Sequence, residues 1–241
     1  MLQVRKDKVM IFVDGNYVYK CLEDIKKGLD AKHLSLLLEA VFKKLNGDND
    51  LRRIYYYNSY PPLESDKSRA EGVAKLIWQI ENKTKKSLSD IQNEIKNMFT
   101  QHLPREEVLK KLGLTAQEFE AQALHKKSKQ QMKFYEVLEY HGFKVILNKL
   151  KKDKYGHYYQ KGVDIYIASD MLSLAFEHGY DTSVLVSGDA DFIEVVNKIQ
   201  EKGKRVILSC FECGKSWELQ RICDDFICLD SIHEEMVSSN R

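Results

Sequence analysis

The chain has 241 residues, of which 43% are hydrophobic and 31% are charged, a balance typical of globular proteins. Only 3 prolines and 12 glycines are present, and no apolar run approaches the roughly 18 residues of a membrane span, so the sequence argues against a fibrous or membrane protein. The formal net charge of +2 indicates no class of partner by itself. Because the first residues lead directly into a strand-like run and not into a secretory signal, we expect a cytoplasmic protein.

Predicted strands and helices alternate through most of the chain. The apolar run at 8–13 is typical of a buried parallel strand, and the apolar spacing over 32–45 predicts a helix. The remaining predicted elements of this kind are strands at 51–58, 143–150, 183–187, 204–209 and 225–229 and helices at 163–178 and 191–202. This alternation predicts an α/β fold around a mostly parallel central sheet.

Residues 63–125 interrupt the alternation, because several helical segments follow one another there without a strand. Their apolar positions at helical spacing are Val73, Ile77, Ile80, Leu88, Ile91, Ile95, Phe99, Val108, Leu109 and Leu112. The pattern Thr115-x-x-Glu118 predicts a capping box at the start of another helix. We expect an all-helical insertion within a single domain, 1–241. The turn at Gly113 is compatible with a DNA-binding helix-turn-helix, but helices joined in this way mostly form packing hairpins.

Two neighbouring segments carry opposite charge. Residues 126–161 contain ten lysines against three acidic residues, whereas residues 162–197 contain seven acidic residues and no lysine or arginine. A basic segment beside an acidic one suits a site that attracts a polyanion and also holds cations. The alternative is two solvated surfaces of opposite sign.

Acidic residues follow two of the predicted strands. Asp14 comes directly after the first strand, and Asp189 and Asp191 come after strand 183–187. Because ligands of open α/β sheets bind at the carboxyl ends of the strands, we expect these three carboxylates to lie close together.

A fourth acid, Asp164, begins the helix predicted at 163–178. At 100° per residue its face continues through Ala168 and Met171, so we expect it to point toward the sheet edge. Four clustered acids repel one another unless cations balance them, and oxygen ligands favour Mg²⁺ or Mn²⁺ over zinc. The sequence has no GxxxxGK[ST] loop, serine nucleophile elbow or HExxH helix, which leaves metal-assisted phosphoryl chemistry as the best enzyme class.

Each acid also has a purely structural interpretation. Asp14 and Asn16 are residues that build turns with glycine. Asp191 begins an Asp-x-x-Glu capping pattern, and Asp164 is a first-turn acid that the helix dipole favours. Asp170 lies on the polar side of its helix, where a structural role is the simpler interpretation.

Four of the five cysteines follow a C-x2-C-x9-C-x4-C pattern, at Cys210, Cys213, Cys223 and Cys228. The first pair resembles a zinc knuckle, but the second pair is too widely spaced to match it. Cys210 and Cys228 also lie at the ends of apolar runs, where cysteine behaves as a small buried hydrophobe. An odd number of cysteines without an export signal points to reduced thiols.

Three ordered motifs and the tail resemble the NYN domain of the LabA-like proteins, in the PIN-like nuclease superfamily. The motifs are FVDGN at 12–16, KGVDI at 161–165 with ASD at 168–170, and LVSGDADF at 185–192, followed by a similar tail over 203–229. The resemblance covers roughly residues 8–60 and 126–230 and leaves the helical insertion outside. It implies a PIN-like three-layer fold and a Mg²⁺- or Mn²⁺-dependent ribonuclease.

The resemblance also assigns roles to residues. It implies that Asp14, Asp164, Asp189 and Asp191 form the acidic metal site, that Asn16 assists near Asp14, and that Asp170 matches a further position of the family pattern. It implies that water hydrolyses an RNA phosphodiester and leaves a 5′ phosphate. The insertion departs from a compact family member, and it is the segment through which a protein partner or a second copy is expected to bind.

The lysine and tyrosine residues before Asp164 are candidate RNA contacts. Lysines that would contact phosphates are Lys151, Lys152, Lys154 and Lys161, and tyrosines that would stack on unpaired bases are Tyr155, Tyr158 and Tyr159. The same stretch is equally compatible with a solvated loop.

Two other function classes compete with the nuclease. The chain could be a catalytically weak RNA-binding or regulatory scaffold that keeps the acids for its fold. A phosphatase that uses Asp14 as nucleophile is a weaker alternative, because Asn16 occupies the position of the second acid in an Asp-x-Asp pattern.

Overall fold

The computed structural model describes residues 6–24, 30–155 and 157–238. Its strands are β1 (Asp7–Asp14), β2 (Asn49–Ser59), β3 (Phe143–Asn148), β4 (Lys151–Lys152), β5 (Tyr158–Tyr159), β6 (Thr182–Val186), β7 (Arg205–Cys210) and β8 (Asp225–Cys228). Its helices are α1 (Gly15–Asp24), α2 (Ala31–Lys43), α3 (Pro62–Ser65), α4 (Lys67–Thr84), α5 (Leu88–Thr100), α6 (Arg105–Leu112), α7 (Ala116–Tyr140), α8 (Val163–Phe176), α9 (Ile193–Gln200), α10 (Trp217–Ile222) and α11 (Leu229–Ser238).

Six strands form the central sheet in the order β3-β2-β1-β6-β7-β8, and every neighbouring pair is parallel. The chain runs outward from β1 to β3 on one side and from β6 to β8 on the other. The strand order therefore reverses between β1 and β6, which is the position where open α/β sheets bind ligands. The predicted α/β fold with a mostly parallel sheet is confirmed.

Helices cover the sheet on both faces. On one face, α8, α9 and α10 pack through buried apolar residues against the sheet, in a cluster that includes Phe12, Leu185, Val163, Val196 and Leu219. On the other, α11 contacts β7 and packs on α2. This gives the three layers of a PIN-like fold, and it explains why β1 and β6 are apolar without alternation, since both faces of a central parallel strand are buried.

Several predicted bounds differ from the structure. The third strand ends at Asn148 and not at 150, because β3 is an edge strand and the chain leaves the sheet there for the β4–β5 ribbon. The helix predicted at 191–202 is a 3₁₀ turn at Ala190–Phe192 followed by α9. The helix α1 was not predicted, and neither was the β4–β5 ribbon.

The described chain divides into two compact units. The first holds the residues up to Ser59 and from Phe134 onward, and the second is Tyr60–Lys133. The predicted insertion, 63–125, lies inside the second unit. In its described residues this unit consists of helices and turns, with buried apolar clusters around Ile80 and Val73.

The capping box and the helix-ending glycine of the second unit agree with what the local sequence predicts. Glu118 N–H donates to Thr115 Oγ1 at 3.2 Å and Thr115 N–H donates to Glu118 Oε2 at 2.7 Å, so the predicted capping box is confirmed. Gly113 ends α6 with φ of 63°, a left-handed conformation that glycine adopts without strain. Val108 and Leu114, on either side of this turn, are buried in the unit's core, as expected for a packing hairpin.

Among the described helices, none combines the length and apolarity needed to cross a membrane.

Candidate active site

Asp14 lies at the carboxyl end of β1, where its side chain is only 6% exposed. Its Oδ1 accepts hydrogen bonds from the backbone N–H groups of Asn16 and Tyr17, both at 3.0 Å. These are the free N–H groups in the first turn of α1, so Asp14 also caps this helix. The turn predicted from Asp14 and Asn16 is therefore the start of a helix.

A hydroxyl group connects Asp14 to the neighbouring strand. Ser187 follows β6 and donates from its Oγ to Asp14 Oδ2 at 3.3 Å, while the same Oγ accepts from Asp189 N–H at 3.3 Å. Asp189 Oδ1 in turn accepts from Asp191 N–H at 2.9 Å. The carboxyl ends of β1 and β6 thus share one hydrogen-bond network, and Asp189 and Asp191 extend from it into solvent.

The turn after β6 is tightly packed, which requires glycine at position 188. A Cβ atom at Gly188 would overlap the Gly214 carbonyl oxygen and approach the Tyr17 ring. Ser216 N–H donates to Gly188 O at 3.0 Å, and Tyr17 Oη accepts from Phe211 N–H at 3.0 Å. The loop after β7 therefore holds the turn that presents Asp189.

Asp164 completes the acidic group from the first turn of α8, but its side chain is exposed. The prediction that it lies on the buried face of its helix is wrong, because that face is formed by Val163, Ile167, Met171 and Ala175. Asp164 still belongs electrostatically to the group. Its pKa is raised by partial desolvation and then by the negative charges of Asp189 and Asp191.

The pKa of Asp14 is affected by the same group of acidic residues. Burial is the main cause that raises its pKa, and the charge of Asp164 adds to it, while the N–H donors of Tyr17 and Asn16 act in the opposite direction. The raised pKa values of Asp14 and Asp164 mean that their negative charges are held at an electrostatic cost, which a bound cation would offset.

The direct fit to a metal ion is partial. In the described ranges, no three His, Cys, Asp or Glu side chains converge closely enough to ligate one ion together. The donor chemistry nevertheless suits a hard divalent cation, since the group offers only carboxylate oxygens. Mg²⁺ commonly binds one or two carboxylates directly and keeps several waters, so it does not need three protein ligands that converge.

The two remaining predicted site residues differ in their surroundings. Asp170 is half-buried and accepts a hydrogen bond from Tyr57 Oη at 2.9 Å, so the structural interpretation of this residue is supported. Asn16 is half-buried, and its backbone N–H bonds Asp14. Asp191 does not cap α9, because the N-cap residue of this helix is Phe192.

Lys20 is a residue of this site that the sequence analysis missed. It is exposed on α1, and its positive charge lowers the pKa of Asp164 against the effects of burial and the neighbouring acids. Lys20 follows Asn16 by four residues and so shares its side of the helix. If α1 had been predicted, the four-residue spacing between Asn16 and Lys20 would have indicated that Lys20 lies near the site.

The predicted RNA contacts fall on a short antiparallel ribbon just before Asp164. Lys151 pairs with Tyr159 and Lys152 with Tyr158 across β4 and β5. The Lys154 ammonium lies 4.9 Å from the centre of the Tyr155 ring, which is 73% exposed. Lys161 is exposed at the end of this segment, where its carbonyl accepts from Asn148 Nδ2 at 2.9 Å. The segment is a ribbon with exposed lysine and tyrosine side chains.

Among the described residues, the cysteines form no group of three side chains that could hold a metal ion. Cys210 is fully buried and is the register partner of Cys228 across β7 and β8. Burial raises the pKa of the Cys210 thiol to about 12, which fits a small hydrophobic side chain. Cys213 is half-buried in the loop after β7.

Comparison with known proteins identifies the family. The model of the NYN domain matches residues 95–230, more than half of the chain. The chain belongs to the NYN domain family. NYN domains belong to the PIN-like superfamily and are typically ribonucleases. The matched residues include Asp164, Asp189, Asp191 and the β4–β5 ribbon. Asp14 lies before the matched residues, and the match begins inside the predicted insertion.

Two further comparisons agree with this assignment at the level of sequence and fold. The chain is 42% identical over 62 residues to the uncharacterized protein MJ0482 of Methanocaldococcus jannaschii, a match that spans about a quarter of each chain. The crystal structure of a protein of unknown function, VPA0982 from Vibrio parahaemolyticus, is similar with a TM-score of 0.55 at 18% identity. That similarity covers 96% of this NYN chain and 98% of the other, and it supports the fold alone.

Proposed function

We propose that the chain is a divalent-metal-dependent ribonuclease that hydrolyses RNA phosphodiester bonds. The observation that carries the proposal is the network Asp14–Ser187–Asp189, which joins the carboxyl ends of β1 and β6 where the strand order reverses. Asp164 and Asp191 extend the same negative region. Membership of a family of typical ribonucleases points to the same activity.

The residues that would hold Mg²⁺ or Mn²⁺ are Asp14, Asp164, Asp189 and Asp191, some of them through water. When bound, the ion would supply a positive charge that stabilises the phosphodiester in the transition state and lowers the pKa of an attacking water. Asp189 and Asp191 face solvent and are accessible to a substrate, whereas Asp14 is buried and positions the turn through Ser187.

The positively charged residues around this site would bind the RNA backbone. Lys20 lies near the carboxylates and would contact a phosphate oxygen next to the bond that breaks. The ribbon supplies Lys151, Lys152 and Lys154, with Lys161 at its end, and its exposed tyrosines would stack on unpaired bases. We expect single-stranded or locally unpaired RNA to be the preferred substrate and a 5′ phosphate to be the product.

A second candidate is an RNA-binding or regulatory scaffold with little catalytic activity. It is favoured by one observation, that no three metal-ligating side chains of the described residues meet in coordination range. Such a protein would bind RNA through the ribbon without cleaving it.

One experiment separates these functions. The protein is incubated with end-labelled RNA and, separately, with a chromogenic phosphomonoester, each with Mn²⁺ or with EDTA. RNA cleavage that requires Mn²⁺ supports the nuclease, and RNA binding without cleavage supports the scaffold. Hydrolysis of the phosphomonoester alone would overturn both in favour of a phosphatase.

A further inference from the structure

A shallow depression of about 380 Å³ lies along α10, and its lining includes neither the acidic residues nor the β4–β5 ribbon. Its lining residues are Trp217, Glu218, Gln220 and Arg221. The Trp217 indole is 72% exposed, and Arg221 is exposed one helical turn later, so both lie on the same side of the helix. The depression therefore combines a flat aromatic surface with a guanidinium group.

The orientation of the indole is fixed although its surface is open. The Lys215 ammonium lies 4.1 Å from the centre of the Trp217 ring and 5.0 Å from the centre of the Phe226 ring. The Lys215 side chain is only 4% exposed and forms an ion pair with Glu212 at 2.7 Å. A partly desolvated cation–π contact of this kind stabilises one ring orientation. Trp217 is thus held in place and still presents surface to solvent.

The depression adjoins the acidic site through the backbone. Ser216 N–H donates to Gly188 O, and Gly188 directly precedes Asp189. Helix α10 also contacts the 3₁₀ turn Ala190–Phe192, which contains Asp191. Trp217 directly follows Ser216, so α10 begins next to the loop that presents Asp189.

We propose that Trp217 and Arg221 form a subsite for one unpaired nucleotide of the RNA strand that reaches the acidic site. This inference rests on the proposed function. The base stacks on the open surface of the indole, and Arg221 contacts an adjacent phosphate. Glu218 offsets the charge of Arg221 within the depression, so stacking supplies most of the affinity, and the contribution of Trp217 is insensitive to salt.

Fluorescence measures the stacking directly, since the chain has two tryptophans, Trp78 and Trp217. In the variant Trp78→Phe the emission comes from Trp217 alone. With EDTA present to prevent cleavage, a single-stranded RNA 12-mer should quench this emission saturably. A 12-mer of the same phosphates with abasic positions should quench it little. The variant Trp217→Phe, which reports from Trp78, should not respond to either.

Affinity supplies the second readout. Trp217→Ala should weaken binding of the 12-mer roughly tenfold or more, the scale of one lost base stack, and leave the slope of log affinity against log salt unchanged. Trp217→Phe should retain part of the affinity. Trp78→Ala is the matched control, because Trp78 is 65% exposed in the second unit and should not change the affinity.

The outcomes separate the subsite from the proposed function. Unchanged affinity of Trp217→Ala, or emission of Trp78→Phe that RNA does not quench, would overturn the subsite while Mn²⁺-dependent cleavage by the wild type still supported the nuclease. If the wild type neither binds nor cleaves RNA, the proposed function and the subsite are both wrong.

Discussion

Tyr57 donates a hydrogen bond from its phenolic oxygen to Asp170 Oδ2 at 2.9 Å, joining the second strand of the sheet to helix α8. The phenol is fully buried, and burial followed by the hydrogen bond to Asp170 raises the pKa of Tyr57, so it remains a donor. Asp170 therefore positions α8, the helix that carries Asp164.

Tyr57→Phe should lower the free energy of unfolding by about 2 kcal/mol, because it leaves a half-buried carboxylate without its donor. We expect the midpoint of urea unfolding to fall accordingly. Tyr166→Phe on the exposed side of α8 is the control and should change stability by less than about 0.5 kcal/mol. Equal stability of the two variants would contradict the positioning role.

Asp14→Asn should reduce RNA cleavage roughly a hundredfold or more, the scale of losing one electrostatic contact at a reacting group. The fold should persist, because asparagine keeps an oxygen that accepts from the first turn of α1. The melting temperature should stay the same or rise, since burial raises the pKa of Asp14 and its charge is costly. Asp7→Asn, at the other end of β1, is the matched control. Near-normal cleavage by Asp14→Asn would exclude Asp14 from the site.

Asp189→Asn should abolish the rise in melting temperature that Mn²⁺ produces in the wild type. The rise follows from linkage, because metal at a hundred times its dissociation constant adds about 2.7 kcal/mol to the free energy of unfolding. Without metal the variant should be as stable as the wild type or slightly more so, because one of the repelling charges is gone. Scanning calorimetry in EDTA and in Mn²⁺ measures both effects. A wild-type melting temperature indifferent to Mn²⁺ would favour the scaffold.

Replacing Lys151, Lys152 and Lys154 together by alanine should weaken RNA binding and flatten its salt dependence. Each lost phosphate contact should remove roughly 0.7 from the slope of log affinity against log salt for a single strand. A salt titration in EDTA measures this slope. The control variant replaces three exposed lysines of the second unit, Lys75, Lys96 and Lys110, and loses the same net charge. A reduced slope only in the control variant would indicate that the RNA-binding surface lies on the second unit and not on the ribbon.

Cleavage by the ribbon variant at saturating RNA should change little. These lysines would bind the substrate and the transition state equally, and such uniform binding affects KM more than kcat. A large loss of kcat would instead place the ribbon at the reacting phosphate.

Glu118→Ala should destabilise the protein by about 1 kcal/mol at neutral pH, the usual cost of losing a helix cap. Burial raises the pKa of Glu118, but the Thr115 N–H, the Thr115 hydroxyl and Lys83 together bring it below its ordinary value. Its contribution is therefore present above the unfolded pKa and is lost as the pH falls through the lower, folded pKa. Urea unfolding of wild type and variant should differ at pH 7 and converge in acid. Glu71→Ala, exposed in the second turn of α4, should show no such pH-dependent difference.

Local sequence patterns were sufficient for the elements whose own residues stabilise them. The run 8–13 predicted β1 correctly because a central strand must be apolar on both faces. The capping box of Thr115 and Glu118 was predicted correctly because its two partners lie three residues apart. The acids after β1 and β6 came together because neighbouring parallel strands end at the same edge. These features follow from the sequence by itself.

Tertiary contacts decided the rest. The partner of Asp170 is 113 residues away in the chain, on a strand whose pairing only the folded sheet establishes. The exposure of Asp164 depended on which stripe of α8 meets the sheet, and the buried stripe begins at Val163, one residue and about 100° away from the predicted face. The hydrogen bond from Ser216 N–H to Gly188 O brings the start of α10 to the loop that presents Asp189, and no sequence periodicity connects these two segments. The sequence determined the six strands of the central sheet, the capping box and the family. Long-range packing determined which side chains meet, because contact between distant segments depends on burial of the whole core.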